Sequence, residues 1–184
     1  MADDMEFNER TKRIGILIAV MAAVLAFTEA AGSNAASDAL RGTIEASNTW
    51  AFFQAKTIRM TTLRAQADAL ELSSVSLGET EREAIKKQVA DWRATAERYD
   101  SEPETGEGRK ELMVKARAIE AARDDAAAAN ATYDLASGAL QLGILLASAA
   151  VVTSVLWLAF LGAGLGVVGV ILGALGLFAP HVLS

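Results

Sequence analysis

The chain has 184 residues, with 17 basic and 23 acidic side chains, a net charge of −6 and no cysteine. Disulfides and thiol chemistry are therefore excluded, and the mild acidic balance offers no basic patch of the kind that binds nucleic acid. The apolar residues are gathered into uncharged runs, whereas a globular core would spread them along the chain.

Residues 1–13 form a charged N-terminal segment. The next uncharged run covers 14–27, and a span needs roughly 20 predominantly apolar residues. Residues 14–32 therefore read as a first transmembrane helix, with Glu29 near its end. Lys12 and Arg13 ahead of the run and small residues after it also fit a cleavable signal peptide. Asp3, Asp4, Glu6 and Glu9 argue against one, because such signals begin basic, so retention is expected.

Residues 33–134 carry 14 basic and 18 acidic side chains, interspersed as on a solvated helical surface. Alanine, glutamate, arginine and lysine dominate and favour helix. Leu40, Ile44, Ser47, Ala51, Ala55, Ile58, Thr62, Ala65, Ala69 and Leu72 recur at steps of three and four, one stripe along a first long helix. The serines from 73 to 76 and Gly78 end it. Thr80 followed by Glu83 predicts a capping box for the next helix, in which Ile85, Val89, Trp92, Ala96 and Tyr99 form a coiled-coil-like seam. Pro103, Gly106 and Gly108 mark a solvated turn. A third helix carries Leu112, Ala116, Ile119, Ala122, Ala126, Ala129, Tyr133, Ala136 and Leu140 on one side, and no breaker separates it from the following span. At 1.5 Å per residue, a first helix of about 60 Å is matched by returning helices of about 30 and 39 Å, which predicts a tall hairpin whose returning arm is interrupted at Pro103. A break near 33–42, folding a shorter bundle, is the alternative.

From 139 to 180 no side chain is charged, enough for two spans, read as 135–153 and 157–179. Gly162, Gly166, Gly169, Gly173 and Gly176 lie along one face of the last span. The second span offers Ala139, Gly143, Ala147, Ala150 and Ser154, and the first Gly15, Ala19, Ala22 and Ala26. Small residues let helix backbones approach in lipid, where no hydrophobic drive exists. These faces pack spans within the chain or join subunits. Glu29 is an ionisable residue close to the membrane; an interfacial, solvated carboxylate is expected, and in a ring of subunits it would favour cations at a pore mouth.

The stretch Thr49-Trp50-Ala51-Phe52-Phe53-Gln54-Ala55-Lys56-Thr57-Ile58-Arg59 holds three of the chain's eleven aromatics within four positions. On a helix Trp50 and Phe53 share a side and Phe52 points nearly opposite, so the segment seeks apolar contact almost all round. Neighbouring copies would supply it with Trp50, Phe52, Phe53 and Ile58 as anchors, together with Trp92 and the glycines of the last span; the second and third helices of the same chain are the alternative.

Catalytic chemistry is not expected. The sole histidine, His181, follows Pro180 at the tail with no nucleophile and orienting group assembled around it. No His, Cys or carboxylate cluster has metal-ligand spacing, and Asp124-Asp125 reads as a solvated face. The Gly-Ala-Gly-Leu-Gly segment from Gly162 follows no strand and is no dinucleotide loop. No cofactor or metal is expected.

The run from Ile44 to Arg59 resembles the signature of a bacterial membrane family, the domain of unknown function 4337. The resemblance covers nearly the whole chain and implies a bacterial inner-membrane protein with one span, a helical insert opening on this signature, and two closing spans. Where the family's pattern often has a basic loop between the last two spans, this chain has Thr153-Ser154-Val155-Leu156-Trp157. Orientation then rests on Arg10, Lys12 and Arg13 against Arg41 alone on the far side, which assigns the N-terminus to the cytoplasm and the helical domain to the periplasm.

Together these features describe an all-α membrane protein with three transmembrane helices and a long helical-hairpin, coiled-coil-like extramembrane domain between the first and second. The expected role is a structural or scaffold protein that self-assembles through its helical domain in the lipid bilayer. An accessory subunit of a larger membrane complex, or a pore or transport module, is the alternative.

Overall fold

A computed structural model describes residues 2–182, with side chains from Glu9 onward. Among the described residues the chain is helical without strands: α1 (Ala2–Ser73), α2 (Glu79–Asp100), α3 (Arg109–Thr153) and α4 (Leu156–Phe178), with single 3-10 turns at Ser74–Ser76 and Pro180–Val182. Three of these helices, α1, α3 and α4, are long and apolar enough to cross a membrane by length and composition.

α1 is one helix of 72 residues, so the alternative of a break near 33–42 does not occur. No proline interrupts it, and several of its serines and threonines return their hydroxyls to the preceding turn. Ser37 Oγ donates to the Ser33 carbonyl at 2.9 Å and Thr49 Oγ1 to that of Glu45 at 2.8 Å, which satisfies these polar side chains without opening the helix. α3 is likewise unbroken through the second predicted span, as the absence of a breaker implied. Two residues join α3 to α4, and Ser154 adopts the left-handed conformation, with φ of 58°.

The start of α2 departs from the predicted capping box at Thr80 and Glu83. Gly78 caps the helix, and its N–H donates to the carboxylate of Glu81 at 3.3 Å. Arg82 fixes this register, because its guanidinium donates to the carbonyls of Ser74 and Val75 in the preceding turn. Both carbonyls lie beyond the end of α1; that of Ser74 also accepts the Leu77 N–H at 3.1 Å in the 3-10 turn.

The chain divides into two compact units, Gly42–Ala121 and the residues up to Arg41 together with those from Ala122 onward. In the Gly42–Ala121 unit the pairs follow an antiparallel order. Arg93 meets Asp68 and Glu71, Lys56 meets Tyr99 and Glu107, Arg109 meets Phe53, and Trp50 meets Glu120. This is the predicted hairpin, its returning arm interrupted between Asp100 and Arg109. Ala46, Thr49, Lys56, Met60 and Ala67 of α1 are buried against Val89, Ala96, Leu112 and Ala116.

The α1 stripe read from the sequence lies on the other side. Leu40, Ile44, Ile58 and Leu72 are 63, 55, 64 and 76% exposed, and Ala51, Thr62, Ala65 and Ala69 are exposed with them. The buried face was hidden because it includes Thr49 and Lys56, polar by type but satisfied here by a backbone carbonyl and by aromatic and carboxylate partners.

In the other unit α3 and α4 pack antiparallel through their small residues, and the N-terminal part of α1 lies against them. Met21, Leu140 and Ala147 form the buried centre, flanked by Ile14, Leu17, Ile18, Val24, Leu25 and Ile144. On α1 the small-residue face of Gly15, Ala19, Ala22 and Ala26 is exposed, and the larger side chains make the contacts.

Candidate functional site

In the Gly42–Ala121 unit the aromatic signature joins α1 to both returning helices. Trp50 and Phe53, one turn apart on α1, meet edge to face with centroids 5.3 Å apart. Trp50 Nε1 donates to Glu120 Oε1 at 2.8 Å, and the Arg109 guanidinium lies 5.7 Å from the centre of the Phe53 ring. Lys56 is 6% exposed. Its ammonium sits 5.3 Å from the ring centre of Phe52, 5.1 Å from that of Tyr99 and 3.8 Å from Glu107 Oε2. A buried ammonium is tolerated when aromatic faces and a carboxylate replace water. The helices of the same chain thus supply partners for Trp50 and Phe53, whereas Phe52 remains 37% exposed. Trp92 is also half-buried within the hairpin, whereas Ile58 points away from it.

The interrupted arm is locked by charge. Arg109 and Lys110 bind the two carboxylate oxygens of Asp100, each at 2.8 Å. The Glu111 carboxylate accepts from Ser101 Oγ at 2.7 Å and from the Glu102 N–H at 3.1 Å, which ties the first turn of α3 to the residues that follow α2. The hydrogen bond from Lys110, reinforced by Arg109, holds the Asp100 carboxyl below its ordinary 3.8, and the Ser101 hydroxyl holds Glu111 below 4.5. A carboxyl lowered in the folded state stabilises it above the unfolded value and loses that stabilisation as pH falls through the folded value. We therefore expect thermal unfolding of the hairpin to move to lower temperature on acidification below about pH 4.5, with Asp100→Asn flattening part of that dependence, as read by circular dichroism.

The glycine face of α4 is taken up within the chain. A Cβ on Gly162 would lie 2.6 Å from the Gly143 carbonyl, on Gly166 2.5 Å from Met21 Sδ, on Gly169 2.6 Å from Leu140 Cγ, and on Gly176 3.0 Å from the Tyr133 ring. A Cβ on Gly173 would lie 3.6 Å from Thr28 Oγ1, an ordinary contact. These contacts realise the intrachain alternative for glycines that were also candidates for joining subunits.

Glu29 is exposed and accepts from Gln141 Nε2 at 3.1 Å. The pair borders a polar cavity of about 430 Å³, also lined by Asn130, Asp134 and Ser137, with Asn130 Nδ2 at 3.5 Å from the Asp134 carboxylate. The sequence did not place Gln141 against Glu29, because 112 positions separate the two and only the antiparallel return of α3 brings them together. His181 and Asp125, the latter expected to be a solvated face, meet at 2.6 Å. Among the described residues no group of three or more His, Cys, Asp or Glu is placed to hold a metal ion.

In comparison with known proteins, the model of a family described as a domain of unknown function, DUF4337, matches residues 10–179, nearly the entire chain. No curated protein and no solved structure matches.

Proposed function

We infer that this chain, which belongs to the family described as a domain of unknown function (DUF4337), is a non-catalytic membrane protein that self-assembles side by side through α1. The observation that carries this reading is the exposed apolar stripe opposite the face that the hairpin buries. Ile44, Ala51, Ile58, Ala65 and Leu72 are spaced by seven, with Asn48, Ala55, Thr62 and Ala69 between them, which is the repeat of a coiled-coil seam. Copies inserted in one bilayer share a direction, so the pairing is parallel. A single asparagine in such a seam pairs with its counterpart across the axis and sets register at some cost in stability, and Asn48 is the one asparagine here. In that register Gln54 flanks Arg59 of the next copy, and no like charges are opposed. The family resemblance and the excess of Arg10, Lys12 and Arg13 over Arg41 support a bacterial inner membrane with the N-terminus cytoplasmic and the hairpin periplasmic.

Native mass in mild detergent tests the reading. The full chain is expected at an integer multiple of the protomer, and Ile58→Glu, which places a charge in the seam, is expected to return it to protomer mass with unchanged helicity. A monomeric wild type overturns the reading, and stoichiometric foreign chains would replace it with an accessory subunit.

A further inference from the structure

We propose that the groove between α1 and α4 is a binding site for one anionic phospholipid, with Arg10 and Arg13 holding the headgroup phosphate and an acyl chain lying along the apolar floor below them. A cavity of about 350 Å³ has both arginines at its mouth and Leu17, Leu156, Phe160 and Ala163 as walls. Leu17 and Ala163 also line a second cavity of about 260 Å³, which continues past Val20, Gly166 and Val167. Val24 and Val170, at the far end of that second cavity, line a third of about 390 Å³ that reaches Phe27 and Leu177. Shared walls make these one furrow. From Arg13 to Phe27 it follows α1 for about 21 Å at 1.5 Å per residue. One leaflet of the hydrocarbon core is about 15 Å deep, so the furrow accommodates an extended acyl chain.

Its chemistry changes once along its length. Ala163, Gly166 and Gly173 keep the α4 side shallow, and the second cavity is walled almost entirely by aliphatic side chains and glycine. At the other end stand two guanidinium groups three positions apart, close enough on a helix to share one anion. Arginine suits phosphate through its planar fork of donors. Arg13 is exposed and forms no ion pair among the described residues. Lys12, between the two arginines, lines neither cavity and instead lies 3.6 Å from Glu9. Ser154 and Thr11 border a smaller cavity next to Arg10, adding hydroxyl donors beside the headgroup position. A cationic mouth on a lipid-length apolar furrow selects an anionic phospholipid over a zwitterionic one and over a free phosphate, which has no use for the furrow.

The test counts lipids retained by the full-length protein in native mass spectrometry after exchange into equal mixtures of phosphatidylglycerol and phosphatidylcholine. An arginine near an anionic headgroup contributes enough for roughly a fivefold preference, so the wild type, with Arg13 exposed at the mouth, is expected to favour phosphatidylglycerol by about fivefold or more. Arg13→Gln is expected to lower the preference about fivefold, and Lys12→Gln to leave it within about twofold. Ala163→Phe, which fills the furrow and leaves every charge in place, is expected to lower retention of both lipids. Equal losses from Arg13→Gln and Lys12→Gln would show diffuse surface attraction and overturn the proposal, as would full retention by Ala163→Phe or no preference in the wild type. Arg13 is exposed, so helicity and melting of Arg13→Gln are expected at wild-type values, and the comparison with Lys12→Gln does not depend on the furrow variant folding.

Discussion

Gly162→Leu is expected to lower the thermal stability of the membrane helices by about 3 kcal/mol, whereas Gly164→Leu, two residues away, leaves it unchanged. The difference comes from what each backbone touches. A Cβ on Gly162 would stand 2.6 Å from the Gly143 carbonyl oxygen and 3.0 Å from the Ala147 nitrogen, both backbone atoms of α3 that cannot swing aside. Reciprocally, a Cβ on Gly143 would stand 2.8 Å from the Gly162 carbonyl. The two helices must separate to admit a side chain. In lipid the lost van der Waals contact is not offset by any hydrophobic gain. Gly164 has nothing within 4 Å and is exposed, so a leucine there displaces no other part of the chain. Circular dichroism melting in one detergent reads both variants. Equal shifts would mean that the α3–α4 contact is not where the glycines act.

Gly108→Ala is the second large effect, again about 3 kcal/mol, this time in the hairpin. Gly108 is buried at the end of the loop that interrupts the returning arm. A Cβ there would run into the Glu102 backbone nitrogen and the Glu111 carboxylate, and would lie 2.7 Å from Ser101 Cα. Those are the groups that tie α3 to the end of α2, where Glu111 accepts from Ser101 and Glu102. The methyl group therefore displaces a charge-assisted pair of hydrogen bonds as well as overpacking the loop. Gly106→Ala provides the contrast. Gly106 has φ of 69° and open space around it, so an alanine there costs only the backbone preference, about 1 kcal/mol. Unfolding in urea ranks the two, and the order Gly106 above Gly108 would contradict the loop geometry around Glu111.

The sequence was legible wherever one physical rule acted alone. Uncharged runs located the three long apolar helices, Gly78 and the serines before it ended α1, and the lack of a breaker kept α3 whole into its span. The seam of α2 was also readable, with Val89 and Ala96 buried as spaced. Where two rules competed, the pattern misled. Thr49 and Lys56 look like surface residues by type but are buried because a carbonyl, two rings and a carboxylate complete them, so the inner face of α1 was hidden behind its more regular outer stripe. The capping box moved two residues because Arg82 bonds the turn before it, a contact made across eight positions by a long side chain. The Glu29–Gln141 pair and the furrow below Arg13 depend on which helices become neighbours, and no local spacing encodes that.

The absence of cysteine makes the central claim directly measurable, because a single introduced thiol is the only one in the chain. With Ile58→Cys in intact membranes, mild oxidation is expected to give a disulfide-linked dimer as the main product, since a parallel seam places position 58 of one copy beside position 58 of the next. Lys87→Cys, exposed on α2 and outside the stripe, is expected to stay monomeric. Equal cross-linking at both positions, or none at position 58, would contradict self-assembly through the outer face of α1.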